Sequence, residues 1–90
     1  MTDKELIAAA ARAAEIPHRE NDAFDPLTND GDAIRVMAKL GIMIAHVGSD
    51  AMQATAPGRV PMEERIVGAN LLAAMRRAIV RAAAAIVKTP

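Results

Sequence analysis

The sequence predicts an α+β domain dominated by helix, and three observations predict it. Alanine-rich segments of helical periodicity stand at both ends of the chain, each with cap residues or charges ordered as a helix dipole prefers. A glycine-bounded run rich in isoleucine and valine lies between them, at residues 42–47. The 90 residues fit one domain spanning 1–90, with a single aromatic, Phe24, so the core must be built from Ala, Leu, Ile, Val and Met. An all-α fold is the alternative, because alanine favours helix even where it adds little buried area.

Thr2 and Glu5 have the spacing of a capping box, and Leu6, Ile7, Ala10, Ala13 and Ala14 follow with helical period. An N-terminal helix is therefore expected at about residues 3 to 15, ended by Pro17, which lacks an amide donor. Residues 17–30 read as an ordered loop anchored by Phe24 and Leu27. Asn29 or Asp30 can cap a short second helix at about residues 31 to 40, and Gly41 suits the left-handed position beyond its end.

A β-hairpin is expected next. Ile42–Val47 forms the first strand, Gly48-Ser49-Asp50 the turn, and Ala51–Ala56 a weaker second strand. The last segment opens at Pro61, carries Glu63 and Glu64 at its start and basic residues toward Lys88, and so reads as one long C-terminal helix over 61–88. Its apolar positions, Leu72, Met75, Ile79, Val80, Ala83, Ile86 and Val87, cover more than one stripe. Such a helix needs cover on several sides, by the rest of the domain and by another subunit.

Eleven basic residues balance eleven acidic ones, so no global field draws the chain to nucleic acid or an anionic membrane. The absence of cysteine excludes disulfides, thiolate metal sites and a thiol nucleophile, and fits a reducing compartment. The N-terminal apolar stretch is interrupted by Arg12 and Glu15, unlike a secretory leader, and no run reaches the roughly 20 apolar residues of a membrane span. A soluble protein of the bacterial cytoplasm is the expectation.

Asp22, Asp25, Asp30 and Asp32 resemble a cation-binding loop in composition but not in spacing. An EF-hand with Gly31 as its turn glycine would need an acid where Pro26 stands and a glutamate where Met37 stands. The aspartates are read as caps and turns, with no metal and no cofactor expected. His18 and His46 have no nucleophile motif beside them, and no phosphate-binding glycine loop occurs. An enzyme using Asp30, Asp32 and His46 is the least favoured reading. The binding residues that the sequence offers are Arg76, Arg77, Arg81 and Lys88, with Arg65 upstream, because arginines one turn apart can grip phosphate bidentately. No aromatic is interleaved to stack on bases.

The run from Asp25 to Ile42, Asp-Pro-Leu-Thr-Asn-Asp-Gly-Asp-Ala-Ile-Arg-Val-Met-Ala-Lys-Leu-Gly-Ile, resembles the Asn-Pro-Leu-x-x-Asp-Gly-Asp-Ala-Leu-Arg signature of the phage ABA-sandwich family. Arg76 to Ala84 resembles that family's closing helix, and residues 2–16 resemble its opening one. The chain departs from the family at Phe24-Asp25, where Trp-Asn is typical, and lacks its aromatic-rich strands before the signature. What the resemblance implies is a phage or prophage origin and a reduced α/β/α sandwich, without assigned catalytic residues. Such a sandwich leaves sheet edges and helix faces for subunit association to cover. The expected function is accordingly that of a non-enzymatic accessory protein acting by self-assembly and protein binding, plausibly as a counter-defence inhibitor of a host protein. Nucleotide or nucleic-acid binding through the arginine group is the alternative.

Overall fold

The structure, a computed structural model, describes residues 1–19 and 23–88, with the backbone alone for Lys88. Its elements in chain order are α1 (Asp3–Ala13), α2 (Asp30–Leu40), β1 (Met43–Val47), β2 (Ala51–Thr55), β3 (Met62–Arg65) and α3 (Leu71–Lys88). The expected helix-dominated α+β class is the class observed. No helix of the described residues is long and apolar enough to cross a membrane.

Helix α1 begins at the capping box that Thr2 and Glu5 predict. The Thr2 hydroxyl accepts from the Glu5 amide at 3.2 Å, and the Glu5 carboxylate accepts from the Thr2 amide at 2.9 Å. Donation to the carboxylate from the Thr2 backbone amide and then from the Thr2 hydroxyl favours the anion, so the Glu5 carboxyl sits below its ordinary 4.5. A depressed carboxyl stabilises the fold fully above 4.5 and loses that contribution as pH falls through its folded value. In an NMR titration Glu5 should show a midpoint under 4.5, moving back upward in Thr2→Ala. An unchanged midpoint in that variant would show that the Thr2 hydroxyl takes no part in holding the carboxylate.

The helix stops two residues earlier than Pro17 alone would require. Glu15 adopts a left-handed φ of 56°, its amide donates to the Arg12 carbonyl, and the Ile16 amide reaches back to Ala11 at 2.9 Å. This paired closure satisfies the last carbonyls before proline is reached. In α2, the Asn29 side chain accepts from the Asp32 amide, and Gly41 ends the helix at φ 68°, as its position predicts.

The hairpin also forms, with Met43 opposite Thr55 and Val47 opposite Ala51. A third strand follows, where the sequence reading expects helix. β3 pairs antiparallel with β2, Ala51 opposite Arg65 and Ala54 opposite Met62, giving a sheet of order β1-β2-β3. The C-terminal helix accordingly starts at Leu71 rather than Pro61. Its true start is Asn70, whose side chain accepts from the Ala73 amide at 3.1 Å, after a left-handed turn through Gly68 and Ala69.

Helix α3 lies against the inner face of the sheet, mainly under β2 and β3, and α1 and α2 pack on α3 rather than on the strands. Met52 and Ala54 bring the sheet into the core, joined there by Ala9, Ala10 and Ala11 of α1, Val36 of α2, and Ala78, Ile79, Val80 and Ala83 of α3. So many small side chains let helix backbones approach closely, which offsets the shortage of large apolar groups. Most of the apolar circumference of α3 is thereby covered within one chain, Leu72 near its start remaining exposed. Val80 is wholly buried and Val87 half-buried, so this helix does not itself demand a second subunit.

Candidate functional site

The three arginines proposed for binding are present on α3 but do not converge. Arg76 lies some 100° around the helix from Arg77, whereas Arg77 and Arg81 stand one turn apart on one side. The Arg76 side chain is only 15% exposed. Its Nε donates to the Leu27 carbonyl at 2.8 Å and its Nη1 to Asp30 at 2.6 Å, clamping the loop before α2 onto α3. Arg77 pairs with Asp3 at 3.1 Å and with Glu64 at 3.7 Å. Arg81 bonds the Glu64 carboxylate and also donates to the Glu63 carbonyl.

Glu64 is the hub of this group. It projects from β3 toward α3, with its side chain only 17% exposed, and two guanidiniums share it. Two arginines facing Glu64 and Asp3 leave little net positive charge for a phosphate to meet. Arg65 points elsewhere and pairs with Asp50 in the exposed hairpin turn. The side chain of Lys88 lies outside the described residues. The arginine group therefore fastens α1, β3 and the α2 loop to α3, a role that spacing alone does not reveal.

Of the aspartates, Asp25 makes the turn its position predicts, whereas the cap of α2 is Asn29, Asp30 pairs with Arg76 and Asp32 ties down the preceding loop. The Asp25 carboxylate accepts from the Leu27 amide, and that of Asp32 accepts from the Asp25 amide at 2.9 Å. Asp22 lies outside the described residues. Among those described, no three acidic or histidine groups are gathered to hold a metal. His18 packs its ring edge-on to Phe24, with centroids 5.7 Å apart, while His46 is exposed on β1. Asp32 walls a shallow open groove with Phe24, Asn29 and Arg35, and His46 is not part of it.

What sequence reading misses is the other side of the sheet. Strand residues alternate between faces, so the register puts Met43, Ala45, Val47, Gln53, Thr55, Glu63 and Arg65 on the face turned from α3. The helices cover only the inner face, in place of the two covered faces of a full α/β/α sandwich. Met43 is consequently 73% exposed, and Ala45 is open to solvent as well.

The two edges of the sheet differ in chemistry. The β3 edge, Met62-Glu63-Glu64-Arg65 preceded by Pro61, carries the charges and proline that discourage strand addition. The β1 edge, Met43-Ile44-Ala45-His46-Val47, has no lysine, arginine, acid, proline or bulge. A signal for this was available in the uncharged run between Gly41 and Gly48, although which strand becomes an edge depends on β3. No protein-family model, curated protein or solved structure matches this chain.

Proposed function

We propose that this protein acts without catalysis, by self-association and protein binding, and that the uncovered side of the sheet is its working surface. The observation that carries this reading is the pairing of an open sheet face with an unguarded β1 edge, while the arginines are occupied by internal partners. An exposed uncharged edge is a template for another chain, and natural proteins usually blunt such edges when they have no use for them. The resemblance of residues 25–42 and 76–84 to a phage family supports a phage or prophage setting, where a small protein can inhibit a host defence protein by occupying its surface.

Light scattering after size exclusion, or sedimentation velocity, tests the self-association. The mass should rise from 9.5 kDa toward twice that value as the concentration increases. One strand edge buries less than the roughly 800 Å² per partner of a standard interface, so a dissociation constant on the order of 10–100 μM is expected. A constant monomer mass up to about 1 mM, well above that range, would refute the reading.

A further inference from the structure

The partner for the β1 edge can be specified further, on the reading that the chain self-associates. We infer that two copies join β1 to β1 antiparallel about a twofold axis through Ala45, making one continuous six-stranded sheet. Three observations carry this.

The first is charge. A twofold contact sets the strand opposite its own reversed sequence, so β3 would bring Glu63 against Glu64 of the second copy, whereas the five residues of β1 bring no lysine, arginine or acid together.

The second is register. Full overlap of a five-residue strand with itself puts Ala45 opposite Ala45, Met43 opposite Val47 and Ile44 opposite His46 of the second copy. Each pair joins residues of the same face, so the outer faces of the two sheets become one surface. Met43, the most exposed side chain of β1 among those with large apolar groups, then gains an apolar cross-strand neighbour.

The third is access. α3 packs mainly under β2 and β3, and His46, on the helix side of β1, is exposed. The helical layer therefore stops short of this edge and leaves room for a second strand at the usual spacing of about 4.8 Å.

The absence of native cysteine makes the test direct. Ala45→Cys should place two thiols across the axis with Cα atoms about 4.5–5.5 Å apart, within disulfide reach, and mild oxidation should yield covalent dimer. Glu63→Cys, on the opposite edge, should not cross-link at the same concentration. Ala45→Lys, a change at an exposed position, should leave the circular dichroism of the monomer unchanged and weaken dimerisation at least ~10-fold by opposing two charges.

The outcomes separate the two levels of inference. If the wild type dimerises while Ala45→Cys fails to cross-link and Ala45→Lys dimerises normally, β1 pairing is wrong and self-association stands. If the wild type remains monomeric, both are overturned. Cross-linking at Ala45 together with loss of dimer in Ala45→Lys establishes the joined sheet.

Discussion

Ile79→Ala should destabilise the protein by about 3–4 kcal/mol, the largest effect expected of any single truncation. Ile79 is wholly buried on α3, in the cluster that joins all three helices to the sheet. Its neighbours there are mostly alanines, whose short side chains cannot swing into a vacated space, so the cavity should relax little. A domain of this length has about 5–13 kcal/mol in total, and the variant should forfeit a large part of it. Urea unfolding followed by circular dichroism measures this, with Ile79→Val as a graded comparison at about 0.5–1.5 kcal/mol. A loss under about 1 kcal/mol for the alanine variant would mean that α3 is not packed as described.

Arg76→Ala should cost about 2 kcal/mol, more than truncation of any other arginine on α3. The reason is desolvation: a guanidinium 15% exposed binds both the Leu27 carbonyl and Asp30, and removing it strands a carbonyl in a partly buried site. Arg76→Lys should recover little, because one ammonium on a flexible stem cannot reproduce the fixed fork that reaches both acceptors. Asp30→Ala should cost less than Arg76→Ala, since Asp30 is half-exposed and the Leu27 bond survives its loss. Equal losses for Arg76→Ala and Asp30→Ala would show that the ion pair, and not the clamp on the loop, is what matters. Chemical shifts of residues 25–29 in the Arg76 variants report the same loop directly.

Much of the fold was legible because its punctuation is local. Thr2 with Glu5, Asn29 and Gly41 act within one helical turn, and each cap lies where its residue type predicts. The hairpin was legible for a similar reason: Gly48 supplies the positive φ its turn needs. Residues 61–70 are misread because two start signals stand in this stretch and only the first, at Pro61, enters the sequence reading. Pro61 and the following glutamates resemble a first helical turn, but Gly68 and Asn70 form a stop and a cap closer to the alanine run. Once Asn70 is taken as the cap, Met62, Glu64 and Ile66 fall on alternate positions of an extended segment, with the even-numbered residues facing α3.

The candidate site was less legible, because it is defined by what does not cover it. That Arg76, Arg77 and Arg81 are engaged depends on partners 46, 74 and 17 residues away in the chain, a pairing no local pattern encodes. The edge status of β1 depends likewise on β3 taking the far side of β2. Helical periodicity correctly reported the broad apolar surface of α3, and only tertiary packing shows that the chain covers most of it, with Leu72 left exposed.

The link between Asp3 and Arg77 has a bearing on how the protein is made. On the ribosome α1 emerges well before α3, the 18-residue helix that supplies the surface it packs on. Until then the alanine stripe of α1 has nothing to dock against, and a solitary 11-residue helix is marginal in water. Folding of these elements is therefore a single event that waits for α3, with the closing contact drawn between side chains 74 residues apart in sequence.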